Sequence, residues 1–232
     1  MFSRSAELYD AFYAGKDYAA EAARLDALIR ERCPDARSLL DVACGTGKHL
    51  EQLRDRYEVE GVDVDPKLLV IARRRLPEVR LREGDMTSFD LGRRFDAVTC
   101  LFSSIAYVRT PERLDAAVAA MAMHLEPGGV LAVEPWIFPE LWEETGVHAL
   151  FVDEPELKAA RINRNVSAEP TVALRFDYLV GTPHGVEHFE EVHDVGFFSH
   201  EQYLAAFERA GLAVDHDPEG LNDRGLYLGV LR

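Results

Sequence analysis

Three carboxylates stand at the ends of short apolar runs in the first half of the chain. Asp41 lies in the run Leu39 to Ala43, Asp63 closes the run Val59 to Asp63, and Asp85 follows Val79 to Leu81 across Gly84. The first run breaks at Gly45-Thr46-Gly47 into a helical pattern. Strand, glycine turn, helix is a geometry that lets backbone press against a nucleotide-like ligand, because the two glycines lack Cβ atoms and tolerate unusual φ. Ligands of open α/β sheets bind beyond the carboxyl ends of the strands, where these acids sit.

A dinucleotide site calls for G-x-G-x-x-G, or alanine at the last position. Here that position is Leu50, which tells against a pyrophosphate. A neutral turn suits S-adenosyl-L-methionine, a sulfonium without phosphates, whose product is S-adenosyl-L-homocysteine. On this reading Asp63 accepts from both ribose hydroxyls. Asp85 accepts from the adenine amino group, with Met86 offering an amide and an apolar surface. Asp41 fixes the glycine turn or meets the methionine ammonium. Any one of these acids alone reads equally well as a solvated or capping carboxylate; three at successive strand tips carry the assignment.

Methyl transfer is an in-line displacement, so the protein has mainly to align donor and acceptor, with a modest base for an amine or carbon acceptor. His193 shares a strand face with Phe189, Val195 and Phe197, as a base in an apolar wall or a core histidine would. Tyr107 follows the fourth strand, and Glu134 with Trp136 follows the fifth. Glu134 can pair with a cationic amine or cap a loop. Arg224 is the best single cation for an anionic substrate, with a surface ion pair as the alternative. Tyr9, Phe12, Tyr13 and Tyr18 cluster in residues 1–18, where amphipathic rings suit a lid over a site. His49 and His124 read as structural, and His188 points away from the His193 face. No His, Cys or acid spacing marks a metal site.

The elements that must position these groups alternate. Helical spacing runs from Tyr18 to about Arg32 and stops at Pro34; Asp65-Pro66 and Thr110-Pro111 open two further helices. Phe95 to Leu101 and Val130 to Val133, the latter entered through Gly128-Gly129, are the fourth and fifth strands. Strands and helices in alternation mean a parallel sheet with right-handed crossovers. After Trp136 the pattern turns to period two: Val172 to Val180, a turn at Thr182-Pro183-His184-Gly185, then Val186 to Phe198. Ser199 and Gln202 form a capping box for a helix that Gly211 ends, and strands near 213–216 and 226–231 finish the sheet. The predicted fold is α/β, with residues 1–136 and 199–232 as the cofactor domain and 137–198 as an inserted antiparallel meander covering the substrate.

The net charge of −15 tells against nucleic acid or an anionic membrane as partner, since phosphate binding needs clustered Lys and Arg. Three cysteines, Cys33, Cys44 and Cys100, suit a reducing cytoplasm, and no apolar run has the length of a signal peptide or a membrane span.

Specific segments then add a resemblance. D-V-A-C-G-T-G-K at 41–48, G-V-D-V-D at 61–65, E-G-D-M at 83–86 and F-D-A-V-T-C-L-F-S-S-I at 95–105 resemble class I S-adenosylmethionine-dependent methyltransferases. L-Y-D-A-F-Y at 8–13, K-D-Y-A-A-E-A at 16–22, H-L-E-P-G-G-V at 124–130, V-E-P-W at 133–136, V-E-H-F at 186–189 and R-G-L-Y-L-G-V at 224–230 resemble the actinomycete N,N-dimethyltransferases of dTDP-3-amino-deoxysugars, the desosamine and mycaminose type. The chain departs from them at Tyr107, where some sugar enzymes carry histidine, and in the more acidic segment 219–225. The resemblance implies a Rossmann-like seven-stranded sheet and a small-molecule substrate of natural-product and antibiotic biosynthesis, and it leaves a homodimer open. It implies cofactor contacts from Tyr13, Tyr18, Asp41, Ala43, Gly45, Gly47, Asp63, Val64, Asp85, Met86, Leu101 and Phe102. Taken with the residue reading above, Tyr9, Ser103, Ser104, Trp136 and Arg224 are expected on the substrate, and His193, Tyr107 and Glu134 are the expected catalytic groups. N-methylation of an amino sugar nucleotide leads; C- or N-methylation of an aromatic or indole alkaloid is the alternative, and a non-catalytic cofactor-binding protein is the alternative of another class.

Overall fold

The computed structural model describes residues 4–142, 146–168 and 171–232. The first three residues of the expected lid, and 143–145 and 169–170 of the expected insert, lie outside them. In chain order the elements are α1 (Tyr9–Phe12), α2 (Tyr18–Arg32), β1 (Ser38–Val42), α3 (Lys48–Leu53), β2 (Glu58–Asp63), α4 (Pro66–Arg75), β3 (Arg80–Glu83) and β4 (Phe95–Cys100). They continue with α5 (Pro111–Met123), β5 (Leu125–Val133), β6 (Val147–Asp153), β7 (Lys158–Ala168), β8 (Thr171–Thr182), β9 (Gly185–Gly196), α6 (His200–Arg209), β10 (Leu212–Asp217) and β11 (Leu226–Leu231).

Seven strands form one sheet in the order β10-β11-β5-β4-β1-β2-β3. The pairs from β3 to β5 are parallel, and β11 and β10 close the edge antiparallel. Its central strands are buried on both faces, which is why they read as unbroken apolar runs. Neighbouring residues point to opposite sides. Leu39 packs under Leu25, Ile29, Leu50 and Leu69 of the helices on one face, and Leu40 faces Leu114, Val118, Met121 and Phe207 on the other. The N-caps expected at Asp65 and Thr110 form, each accepting a backbone N–H, and so does the Ser199–Gln202 capping box.

Three expectations change in detail. β3 runs two residues further toward Asp85 than the apolar triplet suggested, because its partner β2 extends to Asp63. β5 starts at Leu125, so Gly128-Gly129 is an irregularity inside a strand, with Gly128 at φ 81°, rather than its entry. Val147–Asp153 is also a strand, making the second sheet four-stranded in the order β6-β7-β8-β9. Its first strand escapes a period-two reading because it is exposed on both faces for most of its length.

The second sheet rests on the segment after β4. Val172 and Val195 bury against Ala106 of the turn Ser104–Val108. The chain crosses so tightly at Gly196 that a Cβ there would lie 2.7 Å from the Arg109 carbonyl oxygen. Gly196→Ala is therefore expected to lower stability by about 1–3 kcal/mol, the usual cost of overpacking. Chemical denaturation should show it, while Gly15→Ala, where a Cβ meets nothing within 4 Å, serves as the neutral control. A Gly196→Ala protein as stable as the control would refute the close crossing.

Candidate active site

β1 ends at Val42, and the chain turns out of the sheet through Ala43 at φ 59° and Gly45 at φ 55°. Gly47, at φ 78°, then caps α3, and a Cβ on it would meet Leu76 at 3.0 Å. Gly47 thus faces α4 and shapes the turn. The turn is held by Asp63: the Gly45 N–H donates to its Oδ2 (2.7 Å) and the Asp65 N–H to its Oδ1 (2.8 Å). Of the two uses expected of Asp41, fixing the glycine turn thus falls to Asp63. Asp41 instead accepts from the Thr99 hydroxyl on β4 at 2.8 Å. Burial pushes the Asp63 carboxyl above its ordinary range and the Asp41 carboxyl up to about 6. A carboxylate offers about four acceptor positions, so these bonds leave Asp63 capacity to accept from a ligand hydroxyl. Because the first amide of the turn is bound internally, it is not offered to a phosphate.

Two clefts open over these strand ends and share Ala43. The first, of about 360 Å³, is lined by Tyr9, Tyr18, Asp41, Gly45, Leu101, Phe102 and Ser104 among the expected residues. The second, of about 640 Å³, is lined by Val64, Asp85, Met86 and Tyr107, together with Val108, Arg109 and Arg113. Asp85 accepts from the Thr87 amide and hydroxyl, both at 2.8 Å, and from Arg113 at 3.0 Å; these bonds hold its carboxyl below the usual range despite partial burial. Among the described residues, the non-glycine positions with positive φ are Ala43, Phe102, Ser103, Arg109 and Asp223. Three of them line the clefts, Ser103 is next in chain to Phe102, and Asp223 lies in the loop that brings in Arg224. Such conformations cost about 1–3 kcal/mol each and gather at functional sites.

The N-terminal segment straps both sheets. Asp10 accepts from the Thr46 hydroxyl (2.7 Å) and pairs with Arg75, which fastens α1 to the glycine turn. Tyr13 packs edge-on against Phe102 with centroids 5.0 Å apart, and its hydroxyl accepts from Arg161 of β7 at 3.0 Å. Nearer the terminus the amides of Arg4 and Ser5 donate to Glu191 of β9, at 2.7 and 3.1 Å. Lys16 lies 4.6 Å from the Phe102 ring centroid and pairs with Glu21. Glu21 also binds His49 Nε2 at 2.8 Å, and Tyr18 packs edge-on against that imidazole. Burial raises the Glu21 carboxyl, but the His49 and Lys16 bonds outweigh it and hold it low. Sequence reasoning missed Glu21, and took His49, which lines the first cleft, as structural. The available signal was a charge at Glu21 inside the stripe Ala22, Leu25, Leu28 and Ile29.

Tyr107 reaches across to the second sheet, where its hydroxyl lies 2.7 Å from His193 Nδ1. His193 is 3 % exposed, and burial holds its pKa below the ordinary histidine value. Burial likewise pushes the Tyr107 phenol up, so both groups are neutral at neutral pH. Glu134 is fully buried, accepts from the Phe102 N–H (2.8 Å) and from Asn222 Nδ2 (3.1 Å), and so works as a loop strut, the second of its two expected uses. The Ser103 hydroxyl donates to the Pro135 carbonyl at 2.9 Å. Arg224 is half-exposed above it, 3.3 Å from Ser103 Oγ and 3.9 Å from Glu134. Trp136 stacks on Phe197 beside Trp142 and lines neither cleft, because the strand exit turns it toward the second sheet.

The arrangement offers a carboxylate-edged nucleoside site in a neutral turn, next to a tyrosine–histidine pair able to move a proton. It suits group transfer from a sulfonium to a nearby acceptor. Known proteins agree with that chemistry. Residues 39–129 match the family described as methyltransferase domain. The chain is 45% identical over 229 residues to dTDP-3-amino-3,4,6-trideoxy-alpha-D-glucopyranose N,N-dimethyltransferase of Streptomyces venezuelae, covering 97% of both chains. It is 46% identical to dTDP-3-amino-3,6-dideoxy-alpha-D-glucopyranose N,N-dimethyltransferase of Streptomyces fradiae, covering 97% of this chain and 90% of that one. The crystal structure of Streptomyces venezuelae DesVI superposes at a TM-score of 0.94 with 44% identity, all of both chains being covered. SAM-bound CalS10, an amino pentose methyltransferase from Micromonospora echinaspora, superposes at 0.88 with 41% identity, covering 100% of this chain and 98% of that one. With 45% identity and a TM-score of 0.94 to such enzymes over essentially its full length, the chain belongs to the class I S-adenosylmethionine-dependent methyltransferases.

Proposed function

We propose that this enzyme methylates the amino nitrogen of a dTDP-linked amino-deoxysugar twice, in the cytoplasmic assembly of an antibiotic sugar. The observation that carries the reading is the extent of the likeness: identity at 45% spans 97% of the chain, the inserted sheet included. A trans-aconitate 2-methyltransferase of Azoarcus sp. is 30% identical over only 72% of the chain.

S-adenosylmethionine supplies an electrophilic methyl group on sulfur, taken by the amine in a displacement that leaves S-adenosylhomocysteine. The residues of the chain hold and align. Asp63 has the spare lone pairs to accept ribose hydroxyls, and Val64 and Met86 offer apolar surface beside Asp85 for the base. Tyr18 and Lys16 close the first cleft over the turn. Arg224 faces the substrate phosphates from the mouth. An amino sugar arrives protonated and must lose a proton to expose its lone pair. Tyr107 can take that proton while passing its own to His193 Nδ1, a neutral buried acceptor. After each transfer, once His193 has released the earlier proton to solvent, the same path removes the proton from the methylated nitrogen.

Mass spectrometry with methyl-labelled cofactor tests the acceptor, using a panel of dTDP-amino sugars and a panel of indole amines. Two labelled methyl groups on one amino sugar are expected; labelling confined to the indoles would overturn the proposal, and labelling of neither would favour a non-catalytic protein.

Two variants separate binding from chemistry. Asp63→Ala should weaken cofactor affinity about ten- to hundredfold by calorimetry, the range expected for hydrogen bonds to a charged group. Tyr107→Phe should leave that affinity intact and lower kcat about a hundredfold. Equal losses of affinity in both would contradict this division of roles.

The outer face of the second sheet supports a homodimer. Phe151, Leu179 and Val192 point outward there at 72%, 51% and 46% exposure, on strands joined in register. Sedimentation of the full chain should give a dimer that Phe151→Asp splits, whereas a monomeric wild type would exclude it.

A further inference from the structure

β9 turns alternate residues inward, and the inward row is Phe189, Glu191, His193 and Val195. A carboxylate in that row is out of place unless it is used, and Glu191, 6% exposed, is used twice. Its Oε1 accepts the Arg4 and Ser5 amides, at 2.7 and 3.1 Å. Its Oε2 accepts the Ser5 hydroxyl at 2.5 Å and lies 3.5 Å from His193 Nε2. The opposite ring nitrogen meets Tyr107, a lining residue of the second cleft. A continuous line of polar groups therefore runs from the N-terminal segment through a carboxylate and an imidazole to the cleft.

The line has a direction. A lone pair on His193 Nε2 would face a carboxylate, so the ring proton belongs on Nε2 and the lone pair on Nδ1. Nδ1 then accepts the Tyr107 hydroxyl proton, which leaves the lone pairs of the phenol oxygen toward the cleft. Among the described residues, the other charged group acting on His193 is Arg161 of β7, whose guanidinium covers the Phe176 ring. A cation offers Nε2 no competing anion.

We infer that Glu191 is a positioning residue through which closure of the N-terminal segment orients the Tyr107–His193 pair for proton transfer. With Arg4 and Ser5 docked, three donors fix the carboxylate beside Nε2. With the segment away, those donors are lost, water reaches the carboxylate, and the ring loses the partner that selects its tautomer. Proton acceptance is thereby tied to a covered site. The inference rests on the amine-methylation reading for its purpose, but its geometry can be tested without any acceptor.

Nitrogen NMR of the full chain labelled in its imidazoles reads the tautomer directly. Wild type is expected to show His193 protonated on Nε2 and bare on Nδ1. Glu191→Gln should move both resonances toward a tautomer mixture, and Ser5→Ala, which removes one hydroxyl donor to the carboxylate and leaves the ring itself untouched, should move them the same way by less. Identical His193 resonances in all three proteins would overturn the inference, whatever the acceptor proves to be. Kinetics supply the second arm. Glu191→Gln should lower kcat about tenfold, with KM for the cofactor unchanged, and the deficit should vanish when His193 is already Gln. The same deficit in both backgrounds would mean a merely structural carboxylate and would overturn the inference. If no amino sugar is turned over at all, the proposed substrate falls and the NMR result decides the positioning role by itself.

Discussion

The cofactor edge of this protein depends on one carboxylate. Asp63 ends β2 and reaches sideways to the Gly45 amide of the neighbouring β1 turn, and forward to the Asp65 amide that opens α4. Two connections that diverge from adjacent strands are thus tied at a common point. The tie is strong because it is buried and charge-assisted. Ala43, in the left-handed region between the tied strand end and the turn, then becomes the shared wall of both clefts.

The remaining strain collects around that tie. Phe102 and Ser103 follow β4 as Ala43 follows β1, and both sit at positive φ with support from the strand next door. Glu134, at the end of β5, accepts the Phe102 amide, while Ser103 donates to the carbonyl of Pro135. The pattern repeats: the side chain at one strand tip holds the backbone of the preceding tip. A parallel sheet makes this available because all its loops leave on the same side. Glu134 belongs to this scaffolding, which is a better use for a fully buried acid than waiting for a cationic substrate; an unpaired charge there would be costly.

Closure comes from outside the main sheet. The second sheet is hung between β5 and α6, lands on the turn Ser104–Val108, and is joined again by the N-terminal strap through Arg161 and Glu191. Amine methylation needs a lone pair freed of its proton in a place that water does not reach. Tyr107, on the turn after β4, and His193, on β9 of the second sheet, meet where Gly196 lets β9 cross close to Arg109.

The chain's own order of residues determined the parallel sheet, its helices with their caps, and the nature of the cofactor. Those signals are local: apolar runs, Asp-Pro and Thr-Pro caps, two glycines without a third, and acids at strand ends all act within one element or one turn. His193 was also legible as a candidate, as a polar group on an apolar strand face, and Tyr107 by its place just after the fourth strand. Their pairing was not, nor was the part played by Glu191, Glu21 or Arg161. Glu191 and Glu21 sit among apolar neighbours where a charge was a visible anomaly, whereas Arg161 shares its row with Asn163 and Asn165 and gave no such signal; in every case the partner lies on an element distant in sequence. Only the packing of the second sheet and the strap against the strand ends decided which buried charges meet. Burial makes an unmatched charge costly, but many partners could satisfy it, and the fold selects one.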